Sequence, residues 1–184
     1  MQTNTVTIET DRFHLRPLVR GDAGGLFGTL SNEAQCRYLS RGAFKTEEEL
    51  GDWLTDPHWS GRSWVAVDQT DGAIAGRFVA VATRDPAVVE LGYITVYARQ
   101  RQGIAQECMI SLIAHLFDRE KCRRLFAEID AENVASIALA QRLGFTFEGC
   151  LREHERTHKG LCDMSIYGLL GRNWRSGERR EALR

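Results

Sequence analysis

Residues 89–117 read VELGYITVYARQRQGIAQECMISLIAHLF, and the reading of this stretch decides the fold. Val89 to Tyr97 is dense in β-branched and aromatic residues, the composition of a central strand. From Ile104 onward, Ile104, Cys108, Leu112, Ile113, Leu116 and Phe117 recur at three- and four-residue steps, the spacing of a helix with one apolar face. Between them lies Gln100-Arg101-Gln102-Gly103-Ile104-Ala105, with small residues at Gly103 and Ala105. A strand that turns sharply into a helix aims the helix's free N–H groups and positive dipole end at one point, and that point favours an anion. Arg99 and Arg101 add charge that suits a phosphate or pyrophosphate.

Upstream, Val6 to Leu15 alternates apolar and polar residues and reads as a first strand closed by Pro17, with a helical region after it. Thr46 with Glu49 forms a capping box, in which hydroxyl and carboxylate each satisfy an orphaned backbone N–H, so a short helix runs through Leu54. Ser63 to Asp68 and Ala73 to Thr83 read as two strands joined by a turn at Asp71-Gly72, with Gly76 marking a bulge. Downstream, Leu125, Ala127 and Ile129 alternate as a strand. A helix follows from about Val134 to Leu143, which Gly144 can end in the left-handed conformation. Phe145 to Leu151 and Met164 to Leu170 close the pattern as strands. This order implies an α/β (α+β) domain, a mixed sheet covered by helices.

The 184 residues are enough for one domain, and 43% hydrophobic with 27% charged residues is ordinary globular usage. A net charge of −1 recruits neither nucleic acid nor anionic membrane as a whole. Cys36, Cys108, Cys122, Cys150 and Cys162 are odd in number, widely spaced and form no C-x-x-C pair, so reduced thiols in a cytoplasmic chain are expected. No signal peptide or membrane span is expected, since the first ten residues are polar and no long apolar run occurs. The domain is expected over residues 1–171. Residues 172–184, with five arginines and two glutamates, read as a solvated polar tail.

The loop at Gly103 fits neither common nucleotide-binding pattern. A P-loop needs a second glycine and a lysine, and a dinucleotide fold needs G-x-G-x-x-G. Gln100-x-x-Gly103-x-Ala105 after a strand, followed by Asn133-Val134-Ala135-Ser136 and Leu143-Gly144-Phe145, instead resembles the acetyl-CoA signature of the GNAT acyltransferase superfamily. Glu148-Gly149-Cys150-Leu151, Gly160 with Asp163, and Tyr167-Gly168-Leu169 resemble its RimJ/RimL branch. The likeness covers about Val89 to Trp174 well, and reaches the first eighty residues only through Leu15-Arg16-Pro17.

That resemblance implies a mixed, mostly antiparallel twisted sheet, splayed where acetyl-CoA enters, and direct transfer of an acetyl group to an amine. It places the pyrophosphate on Arg101, Gln102, Gly103, Ile104, Ala105 and Gln106, and the pantetheine beside Ile94, Thr95 and Val96. A peptide N–H near Val96 would meet the thioester oxygen as it gains charge. Asn133 and Ser136 would face the cofactor, with Asn133 also suited to cap a helix. Glu155 aligns with the glutamate proposed as base in RimL-like enzymes, and Ser136 with a serine used as acid, because the tyrosine position of many relatives is Ala140 here. The acceptor implied is an N-terminal α-amine of a protein or peptide, with a small-molecule amine second. An α-amine loses its proton at pH 7 for about 3.5 kcal/mol less than a lysine does, so a weak base suffices. Pairing of two copies through their sheets is a further expectation.

Two readings from other classes compete. One is an acyl-CoA-binding module that performs no transfer. The other is a zinc hydrolase, because His154-Glu155-Arg156-Thr157-His158 satisfies H-E-x-x-H. That motif needs an apolar helix, whereas this stretch follows a strand and stops at Lys159-Gly160, and Glu178 is the sole suitably spaced third ligand. No metal is therefore expected. Trp53, Trp59, Trp64 and Tyr93 are aromatic candidates for the acceptor site or for the core. No cysteine has a local base, so no covalent intermediate is expected.

Overall fold

The structure, a computed structural model, describes residues 5–175. Its strands are β1 (Ile8–Glu9), β2 (Phe13–Pro17), β3 (Arg62–Asp68), β4 (Ile74–Ala82), β5 (Val88–Thr95), β6 (Arg124–Asp130), β7 (Thr146–Thr157) and β8 (Gly160–Leu170). Its helices are α1 (Ala23–Leu30), α2 (Glu33–Cys36), α3 (Glu47–Leu54), α4 (Ile104–Asp118), α5 (Val134–Arg142) and α6 (Gly171–Arg175). The strands form one sheet in the order β1-β2-β3-β4-β5-β6-β8-β7. All neighbours run antiparallel except β5 and β6, which run parallel over only Val88↔Arg124, Val89↔Leu125 and Glu90↔Phe126. Helices cover both faces, as the adjacent residues of β3 show: successive side chains point to opposite faces. Trp64 is buried with α4 in one core and Val65 with α1 and α3 in the other.

The helix from Ile104 forms as its periodicity requires, with Ile104, Cys108, Leu112, Ile113, Leu116 and Phe117 all buried. Gly144 has φ +88, and Phe145 donates to Ala140 while Gly144 donates to Gln141, the paired bonds of a Schellman ending. Gly76 does border a bulge: Ala66 pairs with Gly76 and Val67 with Ile74, which leaves Ala75 unpaired in the β3–β4 ladder. The Thr46 cap forms, its hydroxyl accepting from Glu49 N at 3.1 Å, but the return bond goes one residue further out. Glu49 accepts from Lys45 N at 3.0 Å instead of Thr46 N.

Four expectations change. Val6 to Leu15 is a hairpin and not one strand, because Thr10 exchanges backbone and side-chain hydrogen bonds with Phe13 and turns the chain. The central strand stops at Thr95, and Tyr97–Arg99 is a 3-10 turn. β7 continues six residues beyond Leu151 to Thr157. It lies at the sheet's edge and is exposed along most of its length, so it lacks the apolar alternation that marks a half-buried strand. The polar tail expected from 172 includes Trp174, which is buried against Phe117 with ring centroids 6.1 Å apart. The rest of it, from 176, lies outside the described residues. Among the described residues no helix is long and apolar enough to cross a membrane.

Candidate functional site

Past Phe126 the parallel strands part, and a cavity of about 800 Å³ fills the gap. The N-terminus of α4 stands at its mouth. Gly103 caps this helix in the left-handed conformation, φ +78, and Arg101 also has positive φ, so the loop folds back tightly enough to present Ile104, Ala105 and Gln106 to the cavity. The first intrahelical bond is Glu107 N to Gly103 O, which leaves the amides ahead of it open to a ligand. Glu107 itself faces outward and holds the β1–β2 hairpin through Thr10 and the Arg12 guanidinium. Arg12 also takes the Gln102 carbonyl at 3.0 Å, and Gln102 does not line the cavity. Arg99 is committed to Asp68 and Asp71 and adds no free charge, so of the two arginines expected there only Arg101 lines the cavity.

The directions of the β5 amides follow from the ladder it makes with β4. Thr83 donates to Val88 O at one end and Val96 donates to Ala75 O, at 2.9 Å, at the other. Hydrogen-bonded pairs alternate along an antiparallel ladder, so Gly92, Ile94 and Val96 turn their amides to β4 while Leu91, Tyr93 and Thr95 turn theirs away. Leu91 still meets β6; Tyr93 and Thr95 lie beyond the last paired residues and open on the gap. The N–H expected near Val96 to meet a thioester oxygen is therefore used inside the sheet, and Val96 does not line the cavity. Ile94 and Thr95 do.

Opposite β5, Asn133 caps α5 by accepting from Ser136 N at 3.2 Å. Ser136 and Asn133 both line the cavity, and the Ser136 hydroxyl lies 3.1 Å from the Tyr93 phenol oxygen. Burial pushes the Tyr93 pKa up, against the smaller opposing effects of the Ser136 bond and of Arg142. Ala140 lines the same cavity, and Tyr93 reaches it from β5. Sequence reasoning placed Tyr93 only among aromatic candidates, because its partner is 43 residues away.

The face of the sheet toward α3 carries charge. Glu90, Glu128 and Glu155 come from β5, β6 and β7, and all three line the cavity. Burial first, then repulsion from Glu128 and Glu155, raises the Glu90 pKa. Arg77 of β4 lines the cavity too, with Trp53 and Trp59 beside its guanidinium. Trp64 does not reach it; it is buried in the core with its Nε1 donating to Val6 O. Glu90 and Arg77 were not singled out in the sequence, although a charged residue inside the apolar runs Val88 to Tyr93 and Ala75 to Val79 is a visible signal.

Glu155 pairs across to Cys162, just after a register shift in which Glu153 takes φ +47 and donates to Asp163. His154 to Thr157 is thus strand, and His158 begins a turn. Residues four apart on a strand are separated by about 13 Å, against one turn of a helix, so the H-E-x-x-H letters lack the geometry that gives them meaning. Among the described residues no cluster of three metal-ligating side chains occurs. Burial raises the thiol pKa of Cys36, Cys108 and Cys122, which disfavours the nucleophilic thiolate.

A profile of the family described as Acetyltransferase (GNAT) domain matches residues 12–146. The chain is 27% identical to an uncharacterized N-acetyltransferase, p20, of Bacillus licheniformis over 174 residues, 91% of this chain and 98% of that protein. It is 32% identical to the ribosomal-protein-serine acetyltransferase of Escherichia coli (strain K12) over 81 residues, 44% of this chain and 45% of that one. The solved structure of a GCN5-related N-acetyltransferase from Brucella melitensis superposes with a TM-score of 0.87 at 25% identity, covering all of this chain and 86% of the other.

Proposed function

The chain belongs to the GNAT acetyltransferase family, and from that membership we propose that it transfers the acetyl group of acetyl-CoA directly to the α-amine of a protein or peptide N-terminus. The observation that carries this reading is the split between β5 and β6 with the bare N-terminus of α4 at its mouth. Donors fixed in place before the reaction need no rearrangement when charge develops, and one such donor is worth about 2.7–4 kcal/mol elsewhere. Arg101 and the amides of Gly103, Ile104, Ala105 and Gln106 hold the pyrophosphate. Ile94 and Thr95 line the path of the pantetheine.

The amine enters from the face that carries Glu90, Glu128 and Glu155. Glu155 takes its proton, directly or through one water, and the freed lone pair forms the new C–N bond at the thioester carbon. The Tyr93 N–H stabilises the oxyanion, and collapse of the tetrahedral intermediate breaks the C–S bond. The departing thiolate takes a proton from the Ser136 hydroxyl, which recovers one from the Tyr93 phenol 3.1 Å away, and the second proton shed by the new amide nitrogen restores the phenol through water. The ribosomal-protein-serine acetyltransferase among the relatives supports a protein acceptor. The free cysteines support a reducing, cytoplasmic setting.

The test begins with a calorimetric titration of acetyl-CoA, expected to saturate near micromolar affinity, about −8 kcal/mol. Thiol release is then followed with α-amino peptides and with small amines. Absence of binding overturns the acetyltransferase reading. Binding without turnover of any amine makes the chain an acyl-CoA-binding module, and turnover of small amines alone moves the acceptor to that class.

A further inference from the structure

Among the described residues Arg77 is a buried cation with no carboxylate within 4.0 Å. Nine other arginines pair with a carboxylate within 4.0 Å among the described residues, although every one is more exposed than Arg77, which is 6% exposed. Its guanidinium lies over the Trp53 ring at 4.7 Å and the Trp59 ring at 5.2 Å. Nε and Nη2 both donate to the Ser63 hydroxyl, at 3.2 and 2.9 Å. A guanidinium has five N–H donors, so most of its capacity is left over. Nη1 makes no hydrogen bond to the described residues. Nor is it sealed in, since the one fully enclosed side-chain nitrogen or oxygen without a partner among them is Trp174 Nε1. Nη1 is therefore not fully enclosed, and Arg77 lines the cavity.

Burial lowers the Arg77 pKa to about 10, so the group remains charged at neutral pH. A buried, unpaired charge is strongly unfavourable, and a ligand carboxylate would relieve that cost. The free donors are set in a planar fork, the shape that takes a carboxylate through two parallel bonds. The position is equally specific. Arg77 pairs across from Ile94, on the strand next to the one whose Tyr93 and Thr95 amides face the gap, and it lines the same cavity as they do.

We propose that Arg77 anchors a carboxylate belonging to the amine acceptor, which makes the preferred acceptor an α-amine with an acidic group a few bonds away. An N-terminal Asp or Glu residue has this chemistry, and so does a free acidic amino acid. The Trp53 and Trp59 rings hold the guanidinium in plane and exclude water around the pair. The inference rests on the acetyl-transfer reading for its kinetic test but not for its binding test.

The kinetic test compares peptides that begin with Asp or Glu against the same peptides beginning with Asn or Gln, and free aspartate against asparaginamide, which carries no carboxylate. The wild type is expected to favour the acidic member by about tenfold or more in kcat/KM, the range of a charge-assisted bond. In Arg77→Met the acidic peptides lose that advantage while the amide peptides change little. Preference in the peptide pair alone assigns an N-terminal acceptor; preference in the free pair alone assigns the amino acid. Equal loss for acidic and amide acceptors makes Arg77 a purely structural clamp and overturns the proposal, as does a wild type without preference.

The binding test needs no turnover and no variant. N-acetyl-Asp and N-acetyl-Asn peptides, which are the products, are titrated against tryptophan fluorescence, since Trp53 and Trp59 adjoin the guanidinium. Tighter binding of the acidic product supports the carboxylate anchor even if acetyl transfer fails. Equal affinity overturns it even if transfer succeeds.

Discussion

Glu90 and Glu155 stand on the same face of the sheet, yet their positions give them different tasks. Glu155 is on the edge strand, within reach of water, and is the residue expected to accept the amine proton. Glu155→Gln should lower kcat by about a hundredfold, the lower end for a positioned base, and leave the acetyl-CoA affinity unchanged in calorimetry. A variant of full rate would make it an ordinary surface carboxylate. Glu90 is on a central strand, and its raised pKa has a consequence for stability. A carboxyl raised in the folded state contributes stability that is present below its unfolded pKa and lost as pH rises through its folded one. Ionisation of Glu90 is opposed by its surroundings, so Glu90→Gln should raise the melting temperature more at pH 7 than at pH 4. An equal effect at both values would mean that burial does not act on its charge. Glu155 and Ser136 were legible only through a resemblance to a family. Glu90 and Arg77 were legible as charges inside apolar strands, but the letters alone do not say whether such a charge meets solvent, a partner or a cavity.

At the scale of elements, the bulge in β4 and the opening beyond β5 are linked through Gly76. A side-chain Cβ there would stand 2.6 Å from the Ile94 carbonyl oxygen, a backbone atom that cannot move without displacing β5. Gly76→Val should therefore cost about 1–3 kcal/mol in chemical denaturation, the usual range for overpacking, and weaken acetyl-CoA binding as well. Gly28 is the matching control. It lies in α1 with nothing within 4 Å of an added Cβ, so Gly28→Ala should stabilise the fold by about 0.5–1 kcal/mol. If Gly76→Val proves neutral, the strand is more pliable than its contacts imply. Elements with one apolar face, such as α4, were legible in full because burial imposes a period on the sequence. The end of β7 and the hairpin at Thr10 were not, since an exposed edge imposes none and a threonine turn has no glycine to announce it.

Over the whole molecule, two cores on opposite faces of one sheet make the terminal helix part of the structure. Trp174 closes the α4 side against Phe117, and its removal leaves a large void. Trp174→Ala should cost about 3 kcal/mol or more, read as a lower denaturation midpoint; a change under half of that would return residue 174 to a solvated tail. Length and composition were enough to read one domain, and the order of strands and helices along the chain gave its mixed class. The splay of the sheet was legible only as a family pattern and the order of its strands within the sheet was not legible, because the pairing of β6 with β8 and the parting of β5 from β6 depend on contacts far apart in the chain. That parting also bears on solubility. Unpaired backbone at the outer edge of a sheet is a template on which other chains can aggregate. Here the bare amides of Tyr93 and Thr95 lie between two strands of the same sheet, pinned together at Val88 to Glu90. A second sheet has no room to add there, and only a slender, extended molecule can thread the slot. The protein thus keeps a length of unpaired backbone available without the hazard of self-association that an outer edge would bring.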